Sequence, residues 1–144
     1  MVTLTKSTKP TSIHSVERKW HLIDVKSKIV GRIAPHIAML LQGKGKVMYA
    51  PYLDAGDHVV VINAALVKFS GKKGEEKIYS RYSGYPGGLK KTSAKELIKR
   101  NPTRIMKEAV AGMLPKNKLR ARRLARLFIY PDEKHAYTHK FGKK

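Results

Sequence analysis

The chain has 144 residues, 42% of them hydrophobic, and carries a formal net charge of +21 from 31 Lys and Arg against 10 Asp and Glu. That length fits one domain with a real core, and so large a basic excess calls for a polyanionic partner, because like charges in a compact state repel. With no cysteine, a disulfide framework, a thiolate zinc site, an iron–sulfur cluster and a cysteine nucleophile are excluded.

Residues 1–17 read as a flexible basic arm that orders on its partner, without the apolar centre of a secretory signal. No window approaches the ~18 consecutive apolar residues of a membrane-spanning helix, so no membrane partner is expected. "WHLIDV", Trp20 to Val25, is a short apolar run that reads as a strand. In the next segment Ile29, Ile33, Ile37, Leu40 and Leu41 recur at helical spacing, and Gly43 is a natural stop. Pro35 is awkward inside that helix and predicts a start near Gly31 or a mild kink. "DHVVVINA", Asp57 to Ala64, is continuously apolar, as in a parallel strand buried on both faces. Strand, helix and strand make a βαβ unit with a right-handed crossover, so the fold class is α/β.

"VKFSGKKGEEKIYSRYSGY" reads as two short strands around a "GKKGEE" turn, and "SGYPGGLKK" as a glycine-rich loop. Ser93 and Glu96 are spaced as a capping box for a helix. Asn101 can cap another, with Pro102 at its first position and Ile105, Met106, Ala109, Val110 and Met113 on its apolar face. "KNKLRARRLARL" predicts a last basic helix, and "LFIY" a returning strand. Residues 132–144 read as an irregular polar tail, which leaves a single domain over 18–131.

The strongest chemical signal is the basic window that holds Lys116, Lys118, Arg120, Arg122, Arg123 and Arg126. No acid occurs from Ala109 to Pro131, so no i,i+4 ion pair can offset these cations. Phosphate contact is the favoured reading, since arginine forks match phosphate oxygens and each neutralised phosphate releases counterions. A solvated helix face is the plain alternative, and the segment lacks the bulky apolar face of a membrane-surface helix. The loop Tyr79 to Lys91 mixes Arg81, Tyr82, Lys90 and Lys91 with Gly84, Gly87 and Gly88. Such a mixture suits stacking on bases and close backbone approach to phosphates. Lys72 and Lys73 stand just before it. Lys44 and Lys46 follow a helix end, where support of the helix dipole and phosphate contact are equally good readings.

Catalysis and metal binding find little support. His135 and His139 are spaced i,i+4 but have no third ligand. Asp54, Asp57 and His58 form one acidic cluster, better read as partners for local Lys and Arg, or as turn caps, than as an enzyme site. No phosphate-binding glycine motif occurs, so no nucleotide cofactor or small-molecule substrate is expected.

The segments "WHLIDVKSKIVGRIA", "GKGKVMYAPYLDAGDHVVVINAALVKFSGKK", "KIYSRYSGYPGGLKK" and "AVAGMLPKNKL", followed by "RLFIY" and "HAY", resemble the ribosomal protein L-thirteen family over roughly residues 18 to 137. The resemblance implies a three-layer α/β/α sandwich around a small, mostly parallel four-stranded sheet, with basic extensions. It implies a structural protein of the large ribosomal subunit, not an enzyme and without cofactor or metal, that binds large-subunit rRNA and supports assembly. Its partners would be that rRNA and neighbouring large-subunit proteins, in a cytoplasmic or organellar ribosome. Family RNA-facing positions fall on Gly84, Gly87, Gly88 and Lys90, on the segment from Lys116, and on His135.

Overall fold

The structure, a computed structural model, describes residues 11–141. Parts of the predicted arm (1–10) and tail (142–144) therefore lie outside the described residues. The fold starts with strand β1 (Trp20–Asp24), helix α1 (Val30–Gln42) and strand β2 (His58–Ile62). β1 pairs with β2 in parallel, Trp20 opposite His58 and Asp24 opposite Ile62. The late strand β5 (Leu127–Ile129) pairs in parallel with the other side of β2, Val59 opposite Leu127. The order β1-β2-β5 places β2 in the centre. A central parallel strand has no wet face, which explains the unbroken apolar run "VVVI".

Alternation along the strands divides the sheet into two faces. Ile23, Val59, Val61, Leu127 and Ile129 point into the main core. There they meet Ile37 and Leu41 of α1, and Ile105, Met106 and Val110 of helix α4 (Pro102–Met113). The opposite face carries Trp20, His58 and Phe128. Trp20 stacks on His58 with ring centroids 4.3 Å apart. Tyr137 lies 5.0 Å from Trp20 and 4.4 Å from Phe128, and Phe141 meets the Trp20 ring edge-on. A 3-10 turn over Thr138–Phe141 brings these tail aromatics there. The tail's polar composition concealed that contact. The main sheet thus has three strands where four were expected, and aromatic tail residues meet the face where a helical layer was expected.

The middle of the chain also differs from expectation. "GKKGEE" is not the turn of a hairpin: Lys73–Glu76 forms a single-turn helix, α2. The segment before it makes only an isolated bridge, Lys68 with Ile29. The hairpin lies one step later. Strand β3 (Ile78–Tyr82) runs antiparallel to β4 (Leu89–Ser93), so "SGYPGG" is its tip. β4 reads "LKKTS", and its two lysines hid the strand. Helix α3 (Ala94–Arg100) follows directly, with the Ser93 hydroxyl accepting from the Glu96 N–H as the capping box predicts. Asn101 does not cap α4 through a side-chain bond to a backbone N–H; its Oδ1 accepts from the Thr103 hydroxyl instead. Helix α5 (Leu119–Leu124) is the short basic helix. α1 begins at Val30 and runs through Pro35. Pro35 and Gly31 are both exposed, so water can satisfy the carbonyl that the proline leaves unpaired.

Candidate nucleic-acid interface

Two basic regions emerge, and they are built differently. The first is the β3–β4 hairpin. Its base is anchored by Tyr79, packed on the core, and by the Ala94 N–H donating to the Lys77 carbonyl at 2.8 Å. Beyond that base it stands free. Arg81, Tyr82, Lys90 and Lys91 are all exposed. Arg81 lies directly opposite Lys90 in the register, and like charges so placed cost stability unless an anion comes between them. Neither is ion-paired among the described residues. At the tip, Gly84 and Gly87 take φ values of 93° and 74°, which other residues rarely adopt. The Gly88 N–H donates to the Tyr85 carbonyl at 2.9 Å, leaving the Tyr85 ring exposed. Lys72 and Lys73 are exposed at the start of α2.

The second region is the stretch after α4. Leu114 is buried and ties it to the core, and the cations that follow divide into two sets. Lys116, Lys118 and Arg122 are exposed. Arg120 folds back and donates from Nη2 to the Ala111 carbonyl at 2.7 Å, near the end of α4. Arg123 and Arg126 point inward, 1% and 8% exposed. This corrects the reading of both as surface phosphate contacts. A guanidinium is buried only where a carboxylate receives it, and here that carboxylate is Asp54. Arg126 donates to both Asp54 oxygens, Nη1 to Oδ2 and Nη2 to Oδ1, at 2.5 Å each. Arg123 Nε lies 3.7 Å from Oδ1.

Asp57 plays the matching part three residues on. Its Oδ1 accepts from Lys46 Nζ at 2.5 Å and from the Lys19 N–H at 2.9 Å, and its Oδ2 lies 3.0 Å from His21 Nε2. Lys46 also donates to the carbonyls of Glu17 at 2.6 Å and Ala55 at 2.9 Å, so all three ammonium protons are used. Lys46 is therefore a structural cation, and Lys44, exposed at the end of α1, is the free one of the pair. Gly56 lets the two acidic residues sit so close to α1: a Cβ there would run into the Leu41 carbonyl and the Arg126 guanidinium.

The electrostatics follow from these contacts. Burial works against ionisation of Asp54, but the hydrogen bonds and charge of Arg126, then the charges of Arg123 and Arg18, hold its carboxyl below the usual range. Asp57 is likewise opposed by burial and held low by Lys46, the Lys19 N–H and His21. Burial, then the charges of Arg126 and Arg18, push the His58 imidazole down. Both carboxylates of the acidic cluster are thus committed to structure, and neither is free to act as a general base. The His135 ring is half-buried, with Tyr130 and Phe141 nearby and its Nδ1 unpartnered, instead of standing on an open surface. Among the described residues no group of His, Asp and Glu could hold a metal ion, and no helix is long and apolar enough to cross a membrane.

Comparison with known proteins agrees with the resemblance. The family model described as "Ribosomal protein L13" matches residues 18–136. The large ribosomal subunit protein uL13 of Solibacter usitatus is 47% identical over 132 residues, 92% of each chain. Those of Roseiflexus castenholzii and Kocuria rhizophila are each 48% identical, over 85% of this chain and 84% and 83% of their own. These relatives carry the name of a ribosomal component, not of an enzyme. The chain belongs to the ribosomal protein L13 family.

Proposed function

We propose that this chain is a structural constituent of the large ribosomal subunit that binds large-subunit rRNA and supports subunit assembly in the ribosome of its cell. The observation that carries this reading is the hairpin. From Lys77 to Lys95 the chain has cations and aromatics but no acid, and the side chains of Arg81, Tyr82, Lys90 and Lys91 all face solvent. Such a projection is of no use to the core and is suited to a groove of folded RNA. Lys116, Lys118 and Arg122, with Lys44, Lys72 and Lys73, extend the same chemistry over other exposed sites. Recognition then rests on phosphate neutralisation and RNA shape, with tyrosine stacking at splayed bases. Neighbouring large-subunit proteins would complete its surroundings.

Sucrose-gradient sedimentation of ribosomes from the native host tests the assignment. The chain should sediment in equal molar amount with the large subunit. Its absence from that fraction would overturn the reading.

A further inference from the structure

A cleft of about 580 Å³ opens between the residues before β1 and the loop after α1. Val16 lines it from the first segment, Val47 and Met48 from the loop, and Leu40 from α1. Lys46 pins the two sides together. Its Nζ donates to the Glu17 carbonyl at 2.6 Å on one side, and to the Ala55 carbonyl and the Asp57 carboxylate on the other. We propose that this cleft receives a tryptophan or tyrosine side chain presented by an acidic segment of a partner protein.

The walls call for an apolar body. The loop presents more apolar surface than the fold itself uses: Val47 is fully exposed and Met48 is 39% exposed. Apolar side chains gathered in water at the mouth of a cleft mark a protein contact. A nucleobase fits less well, because bases are received by stacking on aromatic rings or guanidinium planes. No Phe, Tyr, Trp or Arg lines the cleft among the described residues, and its one ring, His21, is tied to Asp57 at 3.0 Å. That histidine also says what the apolar body must carry. The Asp57 carboxylate only accepts, so His21 Nε2 holds the proton that faces it. Nδ1 of the neutral ring is then an acceptor, and it makes no hydrogen bond among the described residues. An indole N–H or a phenol O–H supplies the donor on an otherwise apolar ring, which leucine or phenylalanine cannot do. Charge defines the flanks of the incoming segment. Lys19 at the cleft, and Arg18 and Lys44 beside its lining residues in the chain, are exposed and take part in none of the ion pairs of the described residues. Glu17 is the one exposed acid in the lining. Acidic flanks would set the approach of the segment, and the buried ring would carry most of its strength.

The test uses the full chain with ¹³C-methyl methionine and follows the Met48 methyl resonance, assigned by its loss in Met48→Leu. The probe is the peptide acetyl-Glu-Asp-Trp-Asp-Glu-amide, which should move that resonance saturably. Alanine in place of the tryptophan should weaken it about thirtyfold. With 1-methyltryptophan, which keeps the ring and loses the N–H, the loss should be about tenfold. Glutamines in place of the acids should cost about tenfold as well. Val47→Asp alters a fully exposed position, and Gly45→Leu one where a Cβ meets nothing within 4 Å. Both variants should keep the thermal midpoint and weaken the peptide about tenfold. An unmoved resonance, an equal response to any of the three altered peptides, or full affinity in both variants overturns the site. A uridine hexanucleotide that moves the same methyl and displaces the peptide assigns the cleft to RNA and overturns the protein partner; one that leaves the peptide bound supports it.

Discussion

The hairpin and the segment after α4 have the same basic composition and opposite architecture. In β3 and β4 the cations all point outward, and the hairpin leans on the core only at its base. In the segment after α4 the cations alternate in purpose. Arg122 faces solvent, Arg120 closes the end of a helix, and Arg123 and Arg126 reach Asp54 in the interior. Density of positive charge along a chain therefore does not say how much of it a partner can touch. What decides is whether the fold brings a carboxylate to meet it.

The sharpest way to break this contrast is to remove that carboxylate. Asp54→Ala strands two buried guanidinium groups and should cost about 3–5 kcal/mol of stability, the range for breaking a buried ion pair, as read from urea unfolding. A loss under about 1 kcal/mol would mean that Arg123 and Arg126 are effectively at the surface. The hairpin should behave in the reverse manner. Arg81→Ala, Lys90→Ala and Lys91→Ala combined should leave stability within about 0.5 kcal/mol per site. The same triple variant should flatten the slope of log K against log salt for rRNA binding by about 2 to 3 units. An unchanged slope would remove the hairpin from the interface.

Acid should separate the regions as well. Asp54 and Asp57 have folded-state pKa values below their unfolded ones. Their stabilisation is present above the unfolded carboxylate value of about 3.9 and is lost as pH falls through the lower folded values. His58 is also depressed, so it favours the folded state fully above about pH 6.5. That contribution shrinks as pH falls below this point and the unfolded chain takes up the proton. Urea midpoints measured from pH 8 to about 2 should fall in two stages, the histidine stage first. Arg81→Ala should leave both stages in place, and Asp57→Asn should reduce the second. The smallest effect belongs to Arg122→Ala, with stability unchanged within about 0.5 kcal/mol and a salt slope about 1 unit flatter. Arg126→Ala, four positions on, should do the opposite: a large loss of stability, with the salt slope of the remaining folded protein little changed.

The parts of the fold that were legible in the sequence are those with one dominant local signal. β1, α1 and β2 announce themselves by apolar runs and helical spacing, and α3 by its capping box. The hairpin was displaced by one element, because "LKKTS" stands largely in solvent and lacks the buried alternation that identifies a strand. The split among the arginines was not legible. Arg126 meets an aspartate 72 positions earlier in the chain, and no local pattern encodes that meeting. The acidic cluster was correctly read as a set of partners for cations, but which cations could come only from the topology. The path of the tail was not legible for a related reason: two aromatics among many polar residues, Tyr137 and Phe141, settle it against Trp20.

β2 takes one neighbour from the start of the domain and the other from near its end. During translation β1, α1 and β2 can therefore assemble early while the third strand is still unsynthesised, with one flank of "HVVVI" unsealed. Val59 and Val61 wait for Leu127 and Ile129, and Asp54 waits for Arg126. Closure comes only after almost the whole chain has been made, and the tail aromatics then settle on Trp20. A nascent chain with an open parallel edge is prone to pair with the wrong strand. For so basic a chain, the length of that interval governs how much of the newly made protein reaches a native state.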